Sequence, residues 1–339
     1  MFHIGIVGGG NISDTHARAV QATSDAELSA IYGQNLEKAH HLSKLYGGAV
    51  YDDFEAFIRH RPLDMVMIGS PSGLHGQHGI AAAQHGIHVL VEKPIEITLE
   101  RADALISACE KANVKLGVCF QDRFKPGIGQ LKKIIETGRL GDLILASAKV
   151  KWYRPHEYYS NSRWRGTWNL DGGGALMNQG IHTVDLLLWL LGDVKSVSGR
   201  AVTAYHTIEV EDTVVAVLEF SSGVLCTLEA STAAYPGYPR RLELTGTEGT
   251  IILEDDRIIS ADLRSPLPSF HQEKQKPPDE NRASPVVSDA QWHQRVLESF
   301  LQAIKTNAKP TCDGYEGRRS VALVRAIYES SQTGKVASV

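Results

Sequence analysis

The chain has 339 residues, 42% of them hydrophobic and 22% charged, with a formal net charge of −4 at pH 7. This length and composition predict a soluble globular protein with two domains and a large core. The slightly acidic charge, without any lysine or arginine run, argues against nucleic acid as a partner, and no apolar run reaches the ~18 residues of a membrane span.

The first 23 residues read as a strand, a glycine turn and a helix. Residues 2–7 are predicted as the strand, and the run GGGNIS at 8–13 leads into a helical pattern that ends near Thr23. In dinucleotide-binding units this order lets the backbone approach a pyrophosphate, which the helix amino terminus stabilises. Ser13 stands where the third glycine of that fingerprint is expected. We therefore predict a NAD(P)-binding unit, the alternative being a simple tight turn.

The second predicted strand, residues 28–32, is not followed by the acidic residue that holds the ribose hydroxyls in NAD-binding units. The chain continues as Gly33, Gln34 and Asn35, with Lys38 one helical turn further on. Without a carboxylate, nothing here repels a 2′-phosphate. The segment therefore favours NADP, although Gln34 and Asn35 could also hold a plain ribose.

Strands and helices continue to alternate up to residue 120, which predicts a doubly wound parallel sheet. One buried strand, residues 89–91, ends in Glu92, Lys93 and Pro94. Lys93 is thereby left at the carboxyl end of a strand, where open α/β sheets bind their ligands. A lysine held there can serve as an electrophile or proton donor. The alternative is a surface lysine beside a turn.

Metal ligation is not indicated by the histidines and cysteines. His75, His78, His85 and His88 are loosely spaced, and no carboxylate or cysteine converges with them to complete a ligand set. The four cysteines of the chain show no CxxC pairing. We predict no metal, and reduced thiols in a cytoplasmic protein.

The carboxyl-terminal half changes to a pattern of antiparallel strands after a helix that ends near Thr137. A sheet with one face open to solvent or to a partner subunit is the expected product. Residues 262–290 read as a long loop, and two helices near 289–306 and 316–333 close the chain. The predicted strands are 143–152, 194–205, 212–220, 224–233, 240–246 and 250–254.

Residues 152–168 are dense in aromatic side chains and arginines, among them Tyr153, Trp164 and Arg165. Aromatic faces can pack against a sugar ring, while arginine forks bind hydroxyls, carboxylates or phosphates. This segment predicts carbohydrate binding, the alternative being a loop held by ordinary aromatic packing.

A polar stripe follows the glycine run 172–174. Asn178, His182 and Asp185 are spaced at i, i+4 and i+7, so they share one face of an otherwise apolar helix. A histidine on such a stripe can act as general acid–base near neutral pH. The alternative is a buried core histidine whose hydrogen bonds are satisfied.

These residues resemble the Gfo/Idh/MocA oxidoreductases, which include glucose–fructose oxidoreductase and inositol dehydrogenase. The resemblance rests on the glycine turn at 8–12, on Ser70-Pro71 with His75, on Glu92-Lys93-Pro94 and on the helix that carries His182. It implies an α/β fold: a Rossmann domain over residues 1–121 and an α/β domain with an open, mostly antiparallel sheet over 122–339. It also implies a last helix able to pack back near the Rossmann domain, and homodimers or homotetramers formed through that sheet.

Carried over by position, the resemblance makes Lys93 and His182 the catalytic pair. With the segment after the second strand, the expected cofactor contacts are Gly8, Gly10, Asn11, Ile12, Gly33, Gln34, Asn35, Lys38, Ser70, Pro71, His75, Glu92, Lys93 and Gln121. The expected substrate contacts are Tyr153, Trp164, Arg165, Asn178 and His182.

Asn178 departs from the family pattern, because many members carry aspartate four residues before the histidine. An amide can orient a substrate but cannot take a proton, so the chemistry shifts to His182 and Lys93. The Asn-Gln-Gly-Ile-His form and the segment that begins at Trp164 are most similar to the branch of UDP-N-acetylglucosamine-derived uronate dehydrogenases. Residues 33–38 are instead similar to the NADP-using members.

We therefore expect an NAD(P)-dependent oxidoreductase that transfers a hydride between nicotinamide and a secondary alcohol of a sugar, cyclitol or nucleotide-sugar derivative. His182 would exchange the hydroxyl proton and Lys93 would polarise the oxygen. Two alternatives stay open: an NAD-dependent glycosidase of the same family, and a non-catalytic NADP-sensing regulator. The presence of both Lys93 and His182 argues against the regulator. The sugar, the carbon oxidised and the direction are not given by the sequence.

Overall fold

The structure, a computed structural model, describes residues 1–265 and 289–339. These residues form two compact units. The first contains Met1–Gln121 and the chain from residue 289 to Val321, and the second contains residues 122–265 and Ala322–Val339. Most of the loop predicted at 262–290 lies outside the described residues.

The first unit is built on a sheet of six parallel strands in the order β3-β2-β1-β4-β5-β6. This is a Rossmann sheet, so the predicted doubly wound α/β fold is confirmed. The chain reverses its direction of winding between β1 and β4, which are neighbours in the sheet. The strands are β1 (Phe2–Val7), β2 (Ala26–Tyr32), β3 (Ala49–Tyr51), β4 (Met65–Ile68), β5 (His88–Val91) and β6 (Leu116–Val118).

Helices connect these strands, and local sequence accounts for where several of them begin. Asn35 and Thr98 are the amino-terminal caps of α2 and α5, and each accepts a hydrogen bond from a backbone N–H three residues on. The helix α9, from the end of the chain, packs on α1. The helices are α1 (Asn11–Gln21), α2 (Leu36–Tyr46), α3 (Phe54–Ile58), α4 (His75–Gln84), α5 (Leu99–Lys111) and α9 (Gln291–Thr306).

The second unit is built on an eight-stranded sheet in the order β13-β12-β11-β7-β10-β9-β8-β14. All neighbours pair antiparallel except β7 and β10, which are parallel. The prediction of a mostly antiparallel sheet is confirmed, and β13 and β14 add strands that the sequence pattern did not indicate. The strands are β7 (Leu143–Lys151), β8 (Val194–Val202), β9 (Thr213–Phe220), β10 (Leu225–Ser231), β11 (Arg241–Gly246), β12 (Gly249–Glu254), β13 (Arg257–Leu263) and β14 (Ala337–Ser338).

The two faces of this sheet differ, because successive side chains of a strand point to opposite sides. In β9, Val214, Ala216 and Leu218 are buried, whereas Val215 and Val217 are 54% and 51% exposed. The helices of this unit are α6 (Pro126–Glu136), α7 (His156–Ser160) and α8 (Ile181–Leu191), and α10 (Gly314–Thr333) begins in the first unit and ends in this one.

The helix that carries His182 is not regular. Ala175–Gly180 form a π-helix that runs directly into α8, so the expectation of one continuous α-helix is wrong in its first turn. Glu211, from a distant part of the sequence, contacts the start of this π-helix: it accepts hydrogen bonds from the N–H groups of Gly174 and Leu176, both at 2.8 Å. A Cβ on Gly174 would lie 1.9 Å from the backbone oxygen of Glu211, so only glycine fits this approach.

Among the described residues, no helix has both the length and the apolar character needed to span a lipid bilayer.

Candidate active site

The carboxyl ends of β1, β4 and β5 carry most of the predicted cofactor residues. Gly8 follows β1 with φ of +132°, a conformation that favours glycine, and a Cβ there would lie 2.8 Å from the backbone oxygen of Gly69. The chain can therefore turn from β1 into α1 without a side chain in the way. This is the backbone arrangement that the glycine turn predicts.

The amino terminus of α1 is open in a way that fits a pyrophosphate. Gly10 provides no side-chain cap, and a Cβ built on Gly10 would meet nothing within 4 Å. Ser13 Oγ is buried and has no hydrogen-bond partner among the described residues. Free N–H groups, the positive end of the helix dipole and a spare hydroxyl are what an anionic group needs.

The segment after β2 is consistent with either cofactor. Gly33 is buried, while Gln34, Asn35 and Lys38 are exposed. Asn35 Oδ1 accepts the N–H of Lys38 at 3.0 Å, so this oxygen already caps α2. What remains available for a ribose or its phosphate is the Lys38 ammonium, the Gln34 amide and the rest of the Asn35 amide.

His75 connects the ends of β4 and β5. Its Nδ1 lies 2.8 Å from the Pro94 carbonyl oxygen and its Nε2 lies 2.9 Å from that of Ser70. Burial lowers the pKa of His75, although its hydrogen bonds to these two oxygens act to raise it. Ser70 Oγ is 3.0 Å from His78 Nδ1. His75 thus holds the backbone near Ser70 and Lys93, and its contact with the cofactor, like that of Pro71, stays a prediction.

Glu92 is a buried carboxylate held by two histidines. His16 Nε2 lies 2.9 Å and His293 Nε2 3.3 Å from its Oε1. Burial acts to raise the pKa of Glu92, but these two rings outweigh it and hold the pKa well below its usual range. Burial also lowers the pKa of His16. An ionised Glu92 that accepts the hydrogen bond of His16 Nε2 is consistent with these directions.

This trio places possible metal-ligand atoms within 4.8 Å of one another, and the sequence did not indicate it. The 2.9 Å contact of His16 with Glu92 is, however, a normal hydrogen-bond distance. The position of this trio bears on the expected chemistry, because Lys93 is the residue after Glu92. The Lys93 N–H lies 3.3 Å from Glu92 Oε2. Lys93 itself is half-buried after β5. Gln121 Oε1 is buried with no hydrogen-bond partner in the described parts of the chain.

In the second unit His182 lies next to a cluster of charged residues. Its Nδ1 is 3.9 Å from Asp122 Oδ2. Asp122 is also 2.6 Å from both Arg240 Nη1 and Lys125 Nζ, and these two cations contact Asp256 as well. Burial acts to raise the pKa of Asp122, but Arg240 and then Lys125 outweigh it and hold the pKa well below its usual range.

Asp185, the third member of the predicted stripe, has another role. Arg123 binds it through two hydrogen bonds of 2.8 and 2.6 Å, and both side chains are almost completely buried. Such a bidentate pair fixes α8 against the segment before α6. The carboxylate of Asp122 lies beside the His182 ring, whereas that of Asp185 is bound by Arg123.

Asn178 contacts protein groups in the π-helix. Its amide Nδ2 donates to Asp171 Oδ1, and its Oδ1 accepts from Gln179 Nε2 at 2.8 Å. Gln179 in turn accepts from Arg154 Nη2 at 2.9 Å and donates to the Tyr158 hydroxyl at 2.8 Å. Direct contact of Asn178 with a substrate stays a prediction.

The segment with many aromatic residues holds two arginines against one ring. The guanidinium carbon of Arg165 is 4.3 Å from the centroid of Tyr158, and that of Arg154 is 5.5 Å from it. Arg165 also lies 5.5 Å from the Trp164 ring, and its Nε is buried without a hydrogen-bond partner in the described residues. Tyr153 packs edge-on against Tyr235 at 5.2 Å. Burial lowers the pKa of Arg154.

Two family models match the chain. Residues 2–120 match the oxidoreductase family with a NAD-binding Rossmann fold, and residues 128–252 match the GFO/IDH/MocA carboxyl-terminal domain. The chain belongs to the Gfo/Idh/MocA oxidoreductase family. The resemblance inferred from the motifs is thereby confirmed.

Relatives of this family match over almost the whole chain. The WlbA dehydrogenase from Bordetella pertussis, solved in complex with NADH and UDP-GlcNAcA, is 32% identical, with a TM-score of 0.90 over 100% of this chain and 97% of that one. D-glucoside 3-dehydrogenase of Escherichia coli is 28% identical over 98% of this chain and 95% of its own. Inositol 2-dehydrogenase of Rhizobium meliloti is 27% identical over 97% of each.

The activity class follows from this membership. The chain is an NAD(P)-dependent oxidoreductase that transfers a hydride between nicotinamide and an alcohol carbon of a sugar, cyclitol or nucleotide-sugar derivative. The expected class of enzyme is confirmed.

Several residues of this site were not predicted. Arg154 was visible as one of the arginines in the aromatic segment, and Asp122 lies four residues after the end of the last parallel strand. Asp171 precedes the glycine run. Nothing in the sequence pairs Arg240 with Asp122, because 118 positions separate them. His16 and His293 meet at Glu92 from opposite ends of the chain.

The contact of Asn178 with Asp171 predicts a pH-dependent defect in Asn178→Asp. The new carboxylate would face buried Asp171, and two carboxylates that share a site raise the pKa of one of them. A folded-state pKa above the unfolded value lowers stability as pH rises through it. We expect the thermal midpoint of Asn178→Asp to fall relative to wild type between pH 5 and pH 8. Asn178→Ala, which removes the donor without adding charge, should show an offset that does not change with pH. Equal pH dependence in both variants would contradict this.

Proposed function

We propose that Lys93 and His182 act on the same substrate hydroxyl. When bound, the nicotinamide ring accepts the hydride of the carbinol carbon during oxidation. His182 takes the hydroxyl proton, and the Lys93 ammonium stabilises the negative charge that develops on the oxygen. The observation that best supports this is the placement of His182, a side chain only 11% exposed that sits beside an ionised carboxylate.

Lys93 fits its role for a related reason. It follows a strand whose last three residues are buried, and the neighbouring Glu92 is held by His16 and His293. An ammonium on such a rigid support loses little orientation when the oxygen arrives. Preorganised charge of this kind commonly supplies the largest part of a rate enhancement.

Substitution of the pair tests this proposal. Lys93→Met keeps most of the stem without the charge, and we expect turnover to fall by a factor of at least about 10² while cofactor binding is retained. His182→Gln should lose about 10²–10⁴ in rate, together with the limb of the pH profile that rises with pH. Turnover of Lys93→Met within a factor of two of wild type would refute the role of Lys93.

The same assays separate the two alternatives. A glycosidase of this family would release sugar from an aryl glycoside without net formation of NADH. A cofactor-sensing regulator would bind NAD(P) and turn over none of a broad panel of sugars.

We also propose that the substrate carries an acidic group, as in a nucleotide-sugar uronate. Arg165 has no carboxylate partner among the described residues, and it shares the Tyr158 ring with Arg154. Two guanidiniums that lie against one ring suit a carboxylate or phosphate. The WlbA relative was solved with UDP-GlcNAcA, which agrees with such a ligand. Tyr153 and Trp164 would pack on the sugar.

Arg165→Met should reveal this preference. We expect KM for acidic sugars to rise about tenfold or more, with little change for neutral sugars, because a charge-assisted bidentate contact is lost. Arg163→Met is the matched control, since Arg163 is exposed in the same loop. An equal rise in KM for neutral and acidic sugars would argue against an anion subsite.

For the cofactor we propose that NADP binds at least as well as NAD. The support is the position of Gly33, where NAD-binding units place a carboxylate, together with the exposed Lys38. The residues that would hold the shared part of the molecule are Gly8, Gly10, Asn11, Ile12, Gln34, Asn35, Ser70, Pro71, His75, Glu92 and Gln121.

Gly33→Asp tests this preference. A Cβ at Gly33 would lie 3.4 Å from that of Ala39, so the larger side chain needs only a small adjustment. The carboxylate should weaken the binding of NADP by at least about tenfold, or 1.4 kcal/mol, and leave the binding of NAD unchanged. Lys38→Met, a second variant, should weaken the binding of NADP but not that of NAD. Calorimetric titration of both cofactors measures this, and a tenfold preference of wild type for NAD would overturn it.

The remaining proposals concern assembly and location. We propose a homodimer or homotetramer formed through the open face of the eight-stranded sheet. Val215, Val217, Leu145 and Leu225 are each half-exposed on neighbouring strands of that sheet. Contiguous apolar surface of this kind marks interaction sites. Four free cysteines support a cytoplasmic location.

A further inference from the structure

The helix that carries His182 lacks the acidic residue found four positions earlier in many relatives. Asn178 stands there, and it contacts Asp171, whose other carboxylate oxygen accepts the N–H of Gly166 at 2.9 Å. Asp185 on the same helix is bound by Arg123. A carboxylate that acts on the His182 ring can also come from another element.

Asp122 is such a carboxylate. It lies four residues after the end of β6, and its Oδ2 is 3.9 Å from His182 Nδ1. Arg240 and Lys125, both at 2.6 Å, hold the carboxylate from the other directions. These contacts fix the orientation of Asp122, and its Oδ2, which accepts from Arg240 Nη1, is the oxygen that lies 3.9 Å from the imidazole.

The distance of 3.9 Å is too long for a direct hydrogen bond, which requires about 3.2 Å or less. It is nevertheless within the range at which an opposite charge favours an imidazolium. Catalytic hydrogen bonds are often long without substrate and shorten when the complex forms.

We propose that Asp122 is the positioning residue for His182: it keeps the proton of the neutral ring on Nδ1, so that Nε2 is the nitrogen that receives the alcohol proton. The imidazolium that forms then has protons on both nitrogens, and Asp122 balances its charge. This proposal rests on the proposed function, in which His182 is the base.

The charges around His182 define the expected effect. Asp122 and Asp256 carry two negative charges, and Lys125 and Arg240 carry two positive charges, so the four together are neutral. The Arg123–Asp185 pair is neutral as well. Loss of the Asp122 charge leaves one net positive charge beside His182. Protonation of the ring then becomes harder, and its pKa falls.

Asp122→Asn is the test, with Asp256→Asn as its matched control. Each variant removes one carboxylate from the same two cations and leaves the other to pair with them. Asp256 has a positive φ, which asparagine tolerates. In Asp122→Asn the limb of the kcat/KM profile for oxidation that rises with pH should shift to lower pH by at least about one unit. In Asp256→Asn the shift should be clearly smaller. No shift in Asp122→Asn, or equal shifts in both variants, would overturn the proposal.

A measurement on the wild-type protein covers the case in which Asp122→Asn or Asp256→Asn does not fold. In ¹⁵N-histidine spectra, the resonance lost in His182→Gln identifies His182, and its shifts at high pH report the tautomer. The proposal expects the neutral ring to carry its proton on Nδ1, and a proton on Nε2 would overturn it. This readout does not depend on turnover. If His182→Gln keeps full activity while the tautomer is as expected, the proposed function fails and the pairing of Asp122 with His182 stands.

Discussion

The site in the second unit depends on one constraint, which is that a charge removed from water has to be paired. Asp122 and Asp256 satisfy it with Lys125 and Arg240, each of which contacts both carboxylates. The pairing connects the segment after β6, the residue before β11 and the turn between β12 and β13. Removing any one charge would leave one opposite charge unbalanced in a buried place. The pairing therefore holds these three segments together. His182 lies beside the most buried member of this cluster.

The first unit uses the same principle around a different residue. Glu92 is a buried carboxylate, and the rings of His16 and His293 take the place of the cations. In each unit the side chain expected to do the chemistry neighbours an ionised, buried carboxylate: Lys93 follows Glu92 in sequence, and His182 lies near Asp122. A carboxylate with fixed partners offers both an orientation and a local field, and a solvated one offers neither.

The sequence predicted the structural features that depend on neighbouring residues in the chain. It did not predict the contacts between residues that are far apart in the sequence. The strand β1 and the glycine turn at Gly8 were predictable because apolar runs and backbone freedom are local properties. The pairing of Arg240 with Asp122 and the meeting of His16 with His293 depend on the completed fold, so no spacing rule could reveal them. The stripe of Asn178, His182 and Asp185 was found as a pattern. Its three members have different partners, which lie on other segments of the chain and could not be read from the spacing.

The π-helix at Ala175–Gly180 also bears on how this region can change in length. A π-turn contains one residue more than the α-turn it replaces, and it is stable here because Glu211 binds the N–H groups at its start. Deleting one residue from it would give an ordinary α-helix and leave the later side chains of α8 facing much as they do now, because the π-turn spreads its extra residue over nearly the same rotation. His182 and Asp185 would then keep their neighbours. This turn can therefore gain or lose one residue without displacing the residues that follow it.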